Sequence, residues 1–335
     1  MKRDNLNILV TGGCGSIGGA VVHRLLKTLE GNFSIRILSR NDSTQHDFRE
    51  TLTDEEKSHV RFILGDVTND DTVKRAVSGV SHVIHCAALK HVDNAEYNAY
   101  EVQRVNIGGT YTVLHALHQQ ASLSKEPATM VLLSTDKAVD PSNVMGASKR
   151  VAEHIMLGAT WAHNTVLRRV VRFGNVFGSH GSVFPTFVEK LLTSRTIDVT
   201  NFDMTRFVIS SRRAAELLVH AAEQKKKGCF LMVPIMKAAT LRAMYEAALL
   251  QVGGGEQYFR APDGHVRVVG PKIGEKRHEA LVTDHEWERV YAHGKDLGVL
   301  LIGDKRPECA VDIPTKHVNS SQVEKLTPEA LLELL

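Results

Sequence analysis

Short apolar runs alternate with longer stretches in which apolar residues return every third or fourth position, and this rhythm organises the first half of the chain. Leu6 to Thr11 is one such run. It ends in glycines, is followed by Ile17 to Leu29 at helical spacing, and then by Ser34 to Leu38, which alternates apolar and polar residues as a strand does. Val60 to Leu64 and His82 to Cys86 predict further strands, Tyr100 to Gln120 a long helix, Met130 to Ser134 a strand, Val144 to Leu157 a helix and Val166 to Phe173 one more strand. Strands alternating with helices predict an α/β fold, a Rossmann-type doubly wound parallel sheet, over residues 1–173. Beyond Gly174 the pattern loosens into Gly/Ser-rich turns, a helix at Phe184 to Leu192 and short elements. Residues 174–335 are therefore expected to form mostly a smaller C-terminal substrate-binding lobe. The chain is free to cross back into the first unit, since such a crossing leaves no compositional signal. The closing LTPEALLELL predicts a short amphipathic helix opened by Thr327-Pro328.

Composition narrows the picture. At 335 residues, 43% hydrophobic and 24% charged, the chain has enough apolar material for a large core. A net charge of +3, spread along the sequence, favours a phosphorylated small ligand and speaks against nucleic acid. Cys14, Cys86, Cys229 and Cys309 lie far apart with no CxxC pair, so neither a zinc site nor a disulfide framework is expected, and a reducing, cytoplasmic setting is. No apolar run approaches the ~18 residues of a membrane helix, and the N-terminal run is too short for a signal segment.

Chemistry enters at Thr11-Gly12-Gly13-Cys14-Gly15-Ser16-Ile17-Gly18, between a predicted strand and a predicted helix. Glycines at 12, 15 and 18 allow a tight turn and a close approach of backbone to a pyrophosphate, while the helix N-terminus offers free N–H donors. Alone, the pattern reads equally as an ordinary glycine-rich turn; its place after a strand and before an amphipathic helix favours a dinucleotide. The second strand ends in Leu38-Ser39-Arg40, where an NAD-selective fold carries an acid for the ribose hydroxyls. A guanidinium there suits a 2′-phosphate and favours NADP; the plainer reading is a solvated loop arginine.

Further motifs follow in order: GDVTNDDTV at 65–73, CAALKHVDNAEYNAYEVQRVNIGGT at 86–110, LSTDKAVDPSNVMGASKRVAEHI at 133–155, RFGNVFGSHGSVFPTF at 172–187, MTRFVIS at 204–210 and GEKRHEAL at 274–281. Over nearly the whole chain they resemble the inverting UDP-N-acetylglucosamine 4,6-dehydratases. These are extended short-chain dehydrogenases/reductases, soluble relatives of the membrane-anchored capsule and O-antigen biosynthesis dehydratases. The resemblance implies NADP, with NAD as the alternative. It would be held by Gly12, Gly15, Ser16, Ile17 and Gly18, by Ser39 and Arg40, and by Asp66, Val67, Ala87, Ala88 and Lys90. Asn106 would give polar support to the catalytic helix and Lys149 would hold the nicotinamide ribose. A nucleotide-sugar substrate would meet Lys90, His91, Asn175, Ser182, Arg206 and Glu279, with Arg206 as the cation for its diphosphate. The resemblance also implies a homo-oligomer formed through helix packing; the cysteine spacing, the spread charge and the short apolar runs already give no expectation of a metal, nucleic-acid or membrane partner.

Ser134-Thr135-Asp136-Lys137 is the most specific part of the likeness. A dehydratase oxidises the sugar at C4, removes the C5 proton, expels the C6 hydroxyl and returns hydride to C6. Because the ketone acidifies C5, one base and one acid suffice. Lys137 is the candidate base at C5, Asp136 the candidate acid at C6, and Thr135 the hydrogen-bond partner of the C4 oxygen. A neutral Lys137 requires burial or a neighbouring cation, and Lys90 and Lys149 are the expected neighbours. Without its flanking motifs, Asp136-Lys137 would read as a solvated turn.

Most short-chain dehydrogenases carry Tyr-x-x-x-Lys; here the tyrosine is Met145, one helical turn before Lys149. A similar methionine occurs in one branch of the family. Methionine cannot take a proton, so removal of the O4 proton falls to Lys137, Asp136 or a water. Departures from the family pattern at Asp93, Ala99, Arg104, His180 and Ile273 gather on substrate-side segments. Two other functions compete: a nucleotide-sugar 4-epimerase, which keeps the tyrosine and lacks Asp-Lys after Ser-Thr, and a dinucleotide-binding regulatory protein that has lost catalysis. Retention of Thr135, Asp136, Lys137 and Lys149 argues against the second.

Overall fold

The computed structural model describes residues 6–193, 196–225, 228–253, 266–293, 299–302 and 319–335. Cys309 lies outside them. The strands, in chain order, are β1 (Leu6–Thr11), β2 (Phe33–Ser39), β3 (Val60–Leu64), β4 (His82–His85), β5 (Ala128–Thr135), β6 (Val166–Phe173), β7 (Asn175–Val176), β8 (Ile197–Val199), β9 (Thr205–Ile209), β10 (Cys229–Pro234), β11 (Lys237–Thr240), β12 (Val266–Val268), β13 (Val290–His293) and β14 (Val299–Ile302). One nine-stranded sheet runs β13-β14-β10-β6-β5-β4-β1-β2-β3. Seven of its strands, β10 to β3 in that order, pair in parallel. The last two, β14 and β13, close one edge antiparallel.

Helices on both faces bury this sheet, so Ile8, Leu9 and Val10 of β1 and Val170 and Val171 of β6 are fully buried whichever way they point. The order reverses between β1 and β4, and at such a point the carboxyl ends of neighbouring strands open a crevice. Thr11 and His85 stand at that edge; the Thr11 hydroxyl and His85 Nδ1 are 2.7 Å apart. Burial pushes the His85 imidazole down to about 3, so it is neutral in the fold.

After Gly174 the chain divides its residues between two places. β10, β14 and β13 return to the large sheet, while β11-β9-β7 and β12-β8 form small sheets. A second apolar cluster, including Phe177, Phe184, Phe187, Met244 and Leu331, packs this smaller part. The predicted helix Tyr100 to Gln120 is interrupted: a short helix Ala99–Val102 passes into a wide π turn, Gln103–Gly108, before the helix Gly109–Ser124. The turn keeps Val105 and Asn106 buried, and Gly109 packs where a Cβ would stand 2.7 Å from Val67 Cγ2. The fourth strand ends at His85, one residue short of the expected Cys86.

β6 carries three arginines that are almost wholly buried, Arg168, Arg169 and Arg172. Arg168 donates to the carbonyls of Met156 and Ala159, at the end of the helix Val144–Gly158. Arg169 does the same for Gln224 and Gly228 and lies over the Phe230 ring. Arg172 forks two ways, to both oxygens of Glu153 (2.6 and 2.9 Å) and both of Glu286 (2.8 and 2.9 Å). Arg150 adds a second cation to Glu286, and the Ser134 hydroxyl donates to Glu153 at 2.6 Å. This network ties the end of β5 to the segment around residue 286.

Candidate active site

The glycine loop shapes one end of the crevice. Gly12 sits at φ +67°, a conformation glycine adopts without strain. A Cβ on Gly18 would come 2.2 Å from the Gly12 carbonyl oxygen. The following helix, Ser16–Thr28, starts at Gly15 without a side-chain cap, so its first N–H groups remain free for an anion. Shape and donors together fit the pyrophosphate of a dinucleotide. Gly18→Ala is expected to cost about 1–3 kcal/mol through overpacking and to weaken dinucleotide binding. Thermal melting with and without NADP reads both, and unchanged values would contradict the cradle.

From this loop a cavity of about 570 Å³ extends along the carboxyl edge of the sheet. Gly12, Gly15, Ser16, Ile17 and Gly18 line its first part, with Ser39, Arg40 and Val67 on the far side of the loop. Asn41 and Thr44, which the sequence did not single out, line this end as well. Gln45 fixes Ser39 by donating to its hydroxyl and its carbonyl, both at 3.0 Å. The half-exposed Arg40 stands 3.6 Å from Asp66, which itself does not line the cavity. Ala87, Ala88, Lys90 and His91 continue the wall after β4. Asn106 lies behind that wall rather than in it: its amide accepts from Leu89 N–H, donates to Leu89 O, and reaches the Ser148 hydroxyl.

The other end is built on β5 and the helix Val144–Gly158. Lys149 faces the cavity, and burial pushes its ammonium down to about 8 against the pull of Glu153. Met145 also lines the cavity and packs with Leu89, Val92, Ala95 and Val102, leaving no proton acceptor at that position. Thr135 and Lys137 line the cavity, but Asp136 between them is 0% exposed and lies behind. Lys137 Nζ donates to Asp136 Oδ1 (3.1 Å) and to Asn175 Oδ1 (2.9 Å), and it stands 3.5 Å from Glu279 Oε1. Asp136 Oδ2 and Glu279 Oε2 are buried without a hydrogen-bond partner among the described residues.

These neighbours correct one expectation. Burial works to lower the Lys137 ammonium, but the Asp136 and Glu279 carboxylates outweigh it and leave it above its ordinary value. Lys90 and Lys149 do not drive it neutral. Burial pushes the Asp136 carboxyl up, against the pull of Lys137.

Arg206 is a second correction. It is neither free for a diphosphate nor a surface residue: it lies buried in β9 and pairs with Glu275 at 3.0 Å. Its other donors serve the carbonyls of Thr205 and Arg277, and it does not line the cavity. Glu279 stands behind Lys137 rather than on the cavity wall. Asn175 and Ser182 do face the cavity. The loop Gly178–Ser182 crosses it, with His180 N–H donating to Ser16 Oγ (3.1 Å) and Lys90 Nζ donating to His180 O (2.6 Å). Burial lowers the Lys90 ammonium.

Comparison with known proteins places this architecture among relatives. Residues 8–299 match the model of the polysaccharide biosynthesis protein family. A protein of Methanocaldococcus jannaschii named as an uncharacterized membrane protein is 34% identical over 334 residues, covering 96% of this chain and 95% of the relative. The UDP-glucose 4-epimerase of Rickettsia felis is 32% identical, covering 98% and 94%. Among solved structures, Pen from Bacillus thuringiensis superposes with a TM-score of 0.86 at 29% identity, covering 100% of this chain and 98% of that one. The dTDP-glucose 4,6-dehydratase DesIV of Streptomyces venezuelae, with NAD and TYD bound, superposes with a TM-score of 0.67 at 21% identity, covering 81% and 86%, and shares the fold. Despite the first relative's name, no described helix of this chain is long and apolar enough to cross a membrane.

Proposed function

The chain belongs to the polysaccharide biosynthesis protein family, and from that premise we propose that it is a nucleotide-sugar 4,6-dehydratase using NADP. The substrate we assign is UDP-N-acetylglucosamine, converted to UDP-2-acetamido-2,6-dideoxy-hexos-4-ulose, with inversion at C5 open to the same chemistry. The observation that carries this reading is the pairing of buried Asp136 with the cavity-lining Lys137 beside Thr135, at a cavity whose phenol position holds Met145. An epimerase needs only oxidation and re-reduction at C4. An acid and a base sharing a proton at the end of β5 add what elimination across C5 and C6 requires.

Gly12 to Gly18, Ser39, Arg40 and Lys149 would hold the dinucleotide, which when bound supplies the acceptor and later the donor of hydride. Thr135 holds the C4 oxygen. Lys137 takes the C5 proton, and Asp136 supplies the proton with which the C6 hydroxyl leaves as water. Lys137 can return a proton to C5 from either face that it reaches, which is where inversion would be decided.

NADP is assigned over NAD because Arg40 is half-exposed and its contact with Asp66, at 3.6 Å, is of the weak surface kind. It is free to turn to a 2′-phosphate. In Arg40→Met, NADP affinity is expected to fall about 10- to 100-fold, the loss of a charge-assisted hydrogen bond, with NAD affinity unchanged. Equal losses for both dinucleotides in calorimetry would contradict the assignment.

The epimerase reading has its own support, the Rickettsia relatives named UDP-glucose 4-epimerase. Mass spectrometry of the product separates the two. Incubation with UDP-N-acetylglucosamine is expected to yield a species lighter by one water, whereas a product of unchanged mass with altered C4 stereochemistry would favour the epimerase.

A further inference from the structure

Thr135 presents its hydroxyl to the cavity in a fixed sense. A threonine hydroxyl has one proton to donate and two lone pairs to accept with. The proton is committed to Asp136 Oδ1 at 3.0 Å. One lone pair takes the backbone N–H of Lys137 at 3.4 Å. The other lone pair remains for a donor in the cavity that Thr135 lines. A sugar hydroxyl placed there would donate to Thr135, whose own proton already points at a carboxylate.

Asp136 is buried, does not reach the cavity, and meets it through two neighbours, the Thr135 hydroxyl and the Lys137 ammonium. Its second oxygen has no hydrogen-bond donor among the described residues to hold the carboxylate charged, which favours its taking a proton. Met145, where related enzymes hold a phenol, offers no acceptor.

We propose that the O4 proton passes through the Thr135 hydroxyl to the buried Asp136 carboxylate, which thereby replaces the phenol missing at Met145. This rests on the C4 oxidation argued above. The O4–H bond breaks as Thr135 takes that proton and gives its own to Asp136 Oδ1, while hydride leaves C4 for the oxidised nicotinamide. A carbonyl forms, and proton and hydride are both accounted for. The same path run backwards delivers the Asp136 proton to the departing C6 hydroxyl, so the water released carries the proton that began on O4.

The arrangement also couples the steps. Before oxidation, two carboxylates, Asp136 and Glu279, face one ammonium, Lys137, which also meets the neutral Asn175 amide. Arg206 adds a cation that opposes the Lys137 charge from farther off. Protonation of Asp136 removes one of the two anions that hold Lys137 charged. O4 deprotonation thus favours passage of one Lys137 proton to the Glu279 carboxylate, whose Oε1 lies 3.5 Å from Nζ, and leaves a neutral amine to act at C5.

The test is single-turnover C4 oxidation, followed by absorbance of the reduced nicotinamide, with affinity for the nucleotide sugar measured separately by calorimetry. Thr135→Val is expected to slow oxidation about 10²–10⁴-fold, the range of general acid–base catalysis, with sugar affinity nearly unchanged. Thr135→Ser should keep most of the rate. Adding Met145→Tyr to Thr135→Val should recover at least a tenfold part of the loss by restoring a phenol route. Near-wild-type oxidation by Thr135→Val would overturn the relay. So would a double variant no faster than Thr135→Val while Met145→Tyr alone remains active. If the wild-type protein oxidises C4 but returns an epimer, the dehydratase reading fails, and a loss in Thr135→Val still supports the relay.

Discussion

Lys137→Gln is expected to slow product formation about 10²–10⁴-fold, the share of the rate that a positioned base carries. Glutamine can keep hydrogen bonds to Asp136 and Asn175, which Lys137 holds at 3.1 and 2.9 Å, but it cannot take a proton from carbon. Oxidation at C4 should survive, because its proton leaves through Thr135. The variant is therefore expected to reduce its nicotinamide and stall there, with no exchange of the C5 hydrogen into solvent. Absorbance and proton exchange measured side by side check this. Wild-type exchange at C5 in the variant would remove Lys137 from the reaction.

The second large effect concerns stability. Arg172→Leu is expected to cost about 3–5 kcal/mol, the usual consequence of removing one partner from a buried ionic group. The reason is the number of carboxylates this guanidinium serves: Glu153, 1% exposed, and Glu286, 5% exposed, both bound through two oxygens. Arg150 is left to Glu286, while Glu153 keeps the Ser134 hydroxyl and a 3.4 Å contact with Arg150.

The pH dependence carries the sign of this account. Burial alone would raise Glu286, but the bonds from Arg172 and Arg150 outweigh it and hold it well below its ordinary 4.5. A carboxylate depressed in the fold stabilises above its unfolded pKa, and that contribution is lost as pH falls through the folded value. The wild-type protein should therefore lose stability below about pH 4.5. In Arg172→Leu the buried carboxylates lack their cation, so acidification should narrow the gap between variant and wild type. Denaturant melts at several pH values test this, and a gap that widens in acid would contradict the assignment.

Because Ser134 precedes Thr135 and donates to Glu153, this network bears on the reacting end of β5 as well as on folding. It also anchors the segment that carries Glu279, through Leu281, whose carbonyl accepts from Arg172 at 2.9 Å. The candidate catalytic residues at the end of β5 and the packing around Leu281 and Glu286 thus share one buried ionic cluster.

The parallel sheet was legible because most of its strands are buried on both faces and read as apolar runs, as in Met130 to Leu133. The glycine loop was legible because its steric demands, a positive φ at Gly12 and no room at Gly18, permit few other residues. Three things were not. The return of β10, β14 and β13 to the large sheet is a fact of pairing, and Cys229–Pro234 looks like any strand until its partner β6 is known. The π turn at Gln103–Gly108 leaves the apolar spacing nearly intact, and only Gly108-Gly109 hinted at a break.

The third concerns charge. Arg206 was assigned to a diphosphate, but its partner Glu275 lies 69 residues away, and no local pattern announces it. Lys137 was given cationic neighbours and has anionic ones for the same reason: Glu279 arrives from a distant loop. The buried arginines of β6 did leave a signal, three cations within an otherwise apolar strand, which is improbable unless each has a partner.

The most direct test of the central claim is proton NMR of UDP-N-acetylglucosamine incubated with the NADP-loaded protein in deuterated water. A new C6 methyl signal, with deuterium at C5 and its absence in Lys137→Gln, is the predicted result, and the C5 coupling reports whether that centre inverts. A C4 epimer with an intact C6 hydroxymethyl group and no deuterium at C5 would contradict it.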